Sequence, residues 1–327
     1  MIYIGDGAIG YNKISDFATG DILRILQSDR HTPRVEDGLE HSLANRRRFI
    51  IQPDSYGDGS NRGWHSDINL QNFTEEIIIN VIARAKAHGM DRPTLKKYCV
   101  LSFDNEADEV YPREYGHFLD VFSRQVAGRF EIGAGNFSGH RTDLFNDMLQ
   151  NHRQSFKWIH FHMQKDFETI SKIDTNIAYY KNQAIKYGKK LACTEANPTS
   201  NNIWEFGGYS LLHHQYVKAI EIGCQGFYLI FHHQPFDGGG KNTSFIRSNG
   251  TESPFLNSWK KIIIDNRPED IIEGDGAMRL EEFYYWRKET FDRDPEHYGD
   301  WAIQIFLNNE IARCNINIPD AYGNVSI

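Results

Sequence analysis

Cysteine is scarce in this 327-residue chain, with four in all and none in a CxxC pair. That excludes a disulfide framework and the common zinc-binding spacings. Cys99, Cys193 and Cys224 lie in or beside apolar strand patterns and read as small buried thiols, with Cys314 the fourth. Long apolar runs are missing too. No window approaches a membrane span, and MIYIGDGAIG lacks a basic region followed by an apolar stretch. The expectation is a chain without signal peptide or membrane partner, placed in the cytoplasm, released by lysis or carried in a virion. Positive charge is also in deficit: 36 Lys and Arg stand against 44 Asp and Glu, a net charge of −8, which argues against a nucleic-acid partner. The densest basic run, Arg46-Arg47-Arg48, is short and reads as a solvated helix end. Repeats, low-complexity blocks and clear linkers are absent.

What the chain does have is a rhythm of short apolar runs and amphipathic stretches. The runs are Met1–Gly5, Ile22–Gln27, Arg48–Gln52, Lys97–Phe103, Phe130–Ala134, Lys157–Met163, Lys190–Thr194 and Gly226–Phe231. Helical spacing falls between them, clearest over Thr74–His88, Tyr115–Ala127, Ile177–Tyr187 and Leu211–Ile222, with a short helix expected near Ile14–Ala18. Strands alternating with helices predict parallel βαβ units, and eight repeats favour a closed barrel over an open sheet. The fold predicted is therefore an α/β (β/α)₈ TIM barrel over residues 1–265. A C-terminal extension, 266–327, would pack on the barrel or dock an assembly partner.

Catalytic groups of such barrels sit where the strands end. Those ends bring up Asp6, Asp29, Asp54, Asn105 with Glu106, Asn136, Gln164, Glu195, and His232 with His233. Glu106 in LSFDNEAD and Glu195 in LACTEANP are three βα units apart, which sets them on opposed strands facing across the mouth. Aromatics cluster in the same loops: Tyr56 and Trp64, then Trp204, Phe206 and Tyr209, then Phe236. Such rings stack on sugars, or anchor their own loops.

Asn-Glu ending strand four and Glu ending strand seven resemble the clan A glycoside hydrolases, the four/seven superfamily. The resemblance implies Glu106 as acid/base and Glu195 as nucleophile. It implies that Asn105 binds the sugar hydroxyl beside the reacting carbon, and that Arg24 in ILRILQ is the strand-two arginine near the nucleophile. Two positions depart from the clan's habit. His232-His233 stand where it often has Trp, and Gln164 stands where it often has Tyr or His. The expected chemistry is retaining cleavage of a β-linked glycan without cofactor or metal, on an oligosaccharide or polysaccharide substrate. Arg24 would hold Glu195 ionised, and the Glu195 charge, with Asp104 and Asp108 if they face it, would lift the pKa of Glu106. Trp64, Trp204, His160, His162 and His232 complete the expected substrate-binding set.

Two other readings stay open. His160 and His162 alternate with Ile159, Phe161 and Met163, so both should point into the barrel. A His-x-His pair there, with His232 and Glu195, could chelate a divalent ion for a metal-dependent hydrolase or isomerase. The barrel could also be a catalytically inactive glycan-binding module, for instance in a phage particle. Asp237–Ser244 (DGGGKNTS) lacks the Gly and Ser/Thr positions of a phosphate loop, and Gly5-Asp6-Gly7 is too short for a dinucleotide fingerprint.

Overall fold

Eight parallel strands close on themselves in chain order, each hydrogen-bonded to its sequence neighbours and the first to the last. The computed structural model describes residues 2–9, 14–26, 33–55, 63–196, 202–234 and 243–266. The strands are β1 (Tyr3–Ile9), β2 (Gly20–Leu26), β3 (Arg48–Asp54), β4 (Cys99–Ser102), β5 (Glu131–Gly135), β6 (Trp158–Met163), β7 (Lys190–Ala196) and β8 (Cys224–Leu229). The helices are α1 (Pro33–Ala44), α2 (Asp67–Ala87), α3 (Arg92–Tyr98), α4 (Tyr115–Val126), α5 (Thr142–Asn151), α6 (Ile170–Tyr187), α7 (Phe206–Glu221) and α8 (Leu256–Asp265).

The expected barrel is present, with local corrections. Ile14–Ala18 forms a turn and not a helix, and the segment preceding β4 is the short helix α3. Local chemistry accounts for α3. Asp91 caps it through Thr94 N at 2.8 Å, and Pro93 sits in its first turn, where a missing N–H costs nothing. The expected C-terminal extension lies outside the described residues from 267 onward.

The strands are buried on both faces. Outward-facing side chains pack beneath the helices in one continuous core that includes Leu23, Ile51, Leu101, Ile159, Cys193 and Phe227. Ile22, Ile50, Val100, Trp158, Ala192 and Tyr228 form a second cluster, one residue from each of six strands, which fills the lumen toward its floor. The Arg46–Arg48 run is solvated as expected only at Arg46. Arg47 is buried, donating to Ser15 O at 3.0 Å and pairing with Asp21 at 3.5 Å. Arg48 lies over the rings of Tyr3 and Trp158, at 5.2 and 4.6 Å from their centroids. Cys99, Cys193 and Cys224 are free and buried, as expected. No described helix is long and apolar enough to cross a membrane.

Alternation fixes which residues look into the lumen. Ile22 sets Arg24 inward on β2, Val100 sets Ser102 inward on β4, and Trp158 sets His160 and His162 inward on β6. On β7, Ala192 points inward, so strict alternation would carry Thr194 inward and turn Glu195 away. The ladder breaks the rule at that point. Phe161 pairs with Cys193 but His162 pairs with Glu195, and on the other side Cys193 pairs with Phe227 and Ala196 with Leu229. Both ladders place one extra residue in β7, a bulge that returns Glu195 to the lumen beside Thr194.

Candidate active site

Glu106, Glu195 and His162 meet at the mouth. One side-chain oxygen or nitrogen from each lies within 4.8 Å of the others. Nδ1 of His162 stands 3.6 Å from Glu106 Oε1 and 3.7 Å from Glu195 Oε2. Those distances are too long for hydrogen bonds, and neither ring nitrogen has a hydrogen-bond partner among the described residues. The two carboxylates differ in setting. The Glu195 side chain is 4% exposed and that of Glu106 is 26% exposed, so one is deep and the other borders the cleft.

Glu195 is held by both oxygens. Arg24 forms an ion pair with Oε1, and Gln164 Nε2 donates to Oε2. Gln164, which the sequence places where a Tyr or His is the expected habit, thus supplies the polar partner at the end of β6. Its amide does not titrate, so it donates at any working pH.

Glu106 sits on a turn made of unusual backbone. Asp104, Glu106 and Asn136 have φ of 45°, 48° and 46°, the left-handed region that non-glycine residues seldom adopt. Asp104 anchors the turn by facing away from Glu106. Its buried carboxylate accepts from Ser55 N at 3.0 Å, Asn105 N at 2.7 Å, Trp64 Nε1 at 2.8 Å and the Tyr111 hydroxyl. Burial nonetheless pushes the Asp104 carboxyl above its ordinary range. Asp108 is engaged elsewhere, accepting from the Ser138 N–H at 3.0 Å and its hydroxyl at 2.8 Å. The expected push of Asp104 and Asp108 on Glu106 is therefore not what the geometry provides. Burial raises Glu106, but the His162 imidazole, Arg24 and Lys165 outweigh it and hold the carboxyl below its ordinary value of 4.5. Burial also lowers His162, against the pull of Glu106.

Other members of the expected set are placed differently. Asn105 is buried at the end of β4, its Oδ1 without a hydrogen-bond partner among the described residues. His160 lies one layer below His162, bonded through Nδ1 to Ser102 Oγ at 2.7 Å, with burial pushing it down to about 3. Gly133 makes room for it, since a Cβ there would fall 2.0 Å from the ring. His160 is thus a lumen residue and not a sugar contact. Trp64 is 5% exposed and spends its N–H on Asp104, so it anchors a loop instead of offering a platform. Phe206 and Tyr209 are buried in the outer core. Trp204 remains partly exposed, with Arg247 3.9 Å over its ring. Tyr56, Phe236 and Asp29 lie outside the described residues.

His232 also departs from expectation. It is completely buried, donating its backbone N–H to Asp6 Oδ1 at 2.8 Å, while Nδ1 lies 2.9 Å from the same oxygen. Nε2 lies 3.0 Å from Trp259 Nε1 on α8. An indole N–H can only donate, so Nε2 accepts and the ring proton sits on Nδ1, facing Asp6. His232 fastens β1, the segment after β8 and α8, and does not reach a ligand.

The barrel is similar to those of glycan-degrading enzymes of known structure. An endo-β-1,4-glucanase of Xanthomonas axonopodis pv. citri shares 8% identity over 82% of this chain and 100% of its own, with a TM-score of 0.55. A β-mannanase of Thermomonospora fusca, solved with mannotriose, shares 14% over 84% of this chain and 94% of its own, at 0.54. A family 30 xylanase of Clostridium acetobutylicum shares 13% over 80% and 70%, at 0.53. At these identities the likeness is one of fold. No protein-family model matches the sequence, and no curated protein matches it significantly.

Proposed function

We propose that this chain is a retaining glycoside hydrolase that cleaves a β-linked glycan, with Glu106 as acid/base and Glu195 as nucleophile. The observation that carries the reading is the close approach of the two carboxylates, whose nearest oxygens are within 4.8 Å. A retaining pair sits about 5–5.5 Å apart, because the nucleophile must bond to the anomeric carbon directly. An inverting pair opens to about 6.5–9.5 Å to admit water. Arg24 and Gln164 orient Glu195 for attack. Glu106, on the more open side, protonates the departing oxygen and then takes a proton from the water that releases the sugar. The glucanase, β-mannanase and xylanase that share the barrel lend support for a polysaccharide of that class.

The test is a panel of β-glucans, mannans and xylans, with anomeric configuration followed by NMR. Glu195→Gln should lower kcat by more than about 10³-fold while glycan binding survives. Glu106→Ala should lose about 10²- to 10⁴-fold on natural linkages and much less on leaving groups that depart unprotonated. Full turnover by Glu195→Gln would end the proposal. Glycan binding without turnover by the unmodified protein would favour the binding-module reading.

One observation favours a metal-dependent enzyme instead: two carboxylates and an imidazole with no hydrogen-bond partner converge closely enough to share a divalent ion. Against it, Arg24 already brings a positive charge onto Glu195. Activity abolished by chelator and restored by zinc or manganese would promote this alternative.

A further inference from the structure

Beneath the two carboxylates a hydrogen-bonded crosspiece spans the lumen, and Asn136 is its hub. The residue follows β5 and is fully buried. On one side its Nδ2 lies 2.9 Å from Asp104 O and 3.3 Å from Phe103 O, and its own carbonyl accepts the Glu106 N–H at 2.8 Å. These contacts brace the left-handed turn that carries Glu106. On the other side its Oδ1 accepts the Thr194 hydroxyl at 2.8 Å, and Thr194 is the chain neighbour of Glu195 inside the β7 bulge. Nδ2 also donates to Ser102 Oγ at 2.8 Å, and the Ser102 hydroxyl continues to His160 Nδ1 at 2.7 Å. A single amide therefore touches the backbone of the one carboxylate's turn and the residue beside the other.

We propose that Asn136, through Thr194, is a positioning residue that sets the separation of Glu106 and Glu195; the inference rests on the retaining reading of that pair. The physical grounds are specific. Neither end of the pair is held by regular ladder structure. Glu106 lies past the end of β4 on a left-handed turn, and Glu195 lies in a bulge where the ladder is interrupted. Asparagine suits the hub, because its short amide both donates and accepts and it tolerates positive φ better than most residues. Aspartate would put an anion against two carbonyl oxygens, and leucine would take the donor from the Phe103 and Asp104 carbonyls and the near acceptor from the Thr194 hydroxyl in a dry interior. A displacement of about 1 Å at a reacting centre can cost on the order of 10²-fold in rate, so a small loosening here should be visible in turnover.

The test uses Thr194→Val, which keeps shape and removes the hydroxyl, and Thr194→Ser, which restores it. Asn136→Gly, which accepts the positive φ but lacks the amide, is the second route. Thr194→Val should lower kcat by about 10-fold or more with KM within about twofold, and Thr194→Ser should recover most of the loss. Carboxyl titration by ¹³C NMR supplies a readout independent of turnover. In Thr194→Val the Glu106 midpoint should fall as the facing anion recedes, and in Thr194→Ser it should not. Thr194→Val with unchanged kcat and an unchanged Glu106 midpoint would overturn the proposal, even with a lowered melting temperature, because the contact would then be structural only. A protein that turns over no β-glycan would defeat the retaining reading instead, and the titrations would still decide whether the crosspiece sets the pair.

Discussion

Arg24 on β2 is ion-paired with Glu195 on β7, three strands away round the closed sheet, and both side chains are nearly buried. The pair fixes one Glu195 oxygen while Gln164 fixes the other. In the proposed retaining mechanism the charge on Glu195 disappears as the glycosyl bond forms, so Arg24 would act mainly before and after the covalent state. Arg24→Ala strands a buried anion and should destabilise the fold by about 3–5 kcal/mol, besides removing most turnover. Arg24→Lys should recover part of the stability and less of the activity, because an ammonium lacks the planar fork. Denaturation curves and kcat on the two variants check this. Equal recovery of both properties in the lysine variant would contradict it.

The Glu106 carboxyl, held below 4.5, predicts an acidic working range. In the proposed mechanism Glu106 must enter protonated, and the protonated fraction of the free protein falls as pH rises past its pKa. The kcat/KM profile should therefore peak on the acid side of neutrality and decline by about tenfold per unit above that. His162 is one of the groups that lowers Glu106, so His162→Ala should move the alkaline limb to higher pH. A limb that stays put, or moves down, would show that the imidazole does not govern this proton.

Asp21 makes an opposite kind of prediction, about stability. It is fully buried beside Arg47 and Ser42, and burial pushes its carboxyl up to about 6 in spite of Arg47. The folded chain then keeps a proton that the unfolded chain releases near pH 4. Stability present at low pH is lost as pH rises through about 6. Asp21→Asn does not titrate. The difference in unfolding free energy between the two should shift by roughly 3 kcal/mol in favour of the variant between about pH 4 and about pH 6. A pH-independent difference would refute the assignment.

His232 and Trp259 should matter for folding and not for binding. Trp259→Phe keeps the ring packing but leaves Nε2 of His232 unpaired in a dry site, at a cost of about 1–3 kcal/mol. Glycan affinity of the folded variant should be unchanged. A selective loss of affinity would return His232 to the cleft.

Much of the architecture was legible because β/α alternation leaves a strong mark: both faces of each strand are covered, so each reads as a short apolar run. The convergence of Glu106 and Glu195 was legible from their positions at the ends of β4 and β7. What stayed hidden was direction. Trp64, His160 and His232 have the chemistry of ligand contacts, but each points into the protein, toward Asp104, Ser102 and Asp6. Only tertiary packing decides that. Gln164 and Asn136 stood out only as strand ends without a role, and Thr194 not at all, for a related reason. Neutral amides and hydroxyls give no signal in a sequence, and their weight comes from the partners they bridge. The Ile14–Ala18 helix failed because five residues hold too little periodicity to tell a turn from a helix.

The β7 bulge lets two chain neighbours, Thr194 and Glu195, both face the lumen, which a regular strand cannot do. Deleting Thr194 would restore regular alternation and leave Glu195 facing inward directly after Cys193, opposite His162. Such a barrel would keep its outline and its carboxylate and lose only the hydroxyl that reaches Asn136. The extra residue thus adds a group to the lumen without adding a strand, and comparison by overall shape alone would not register it.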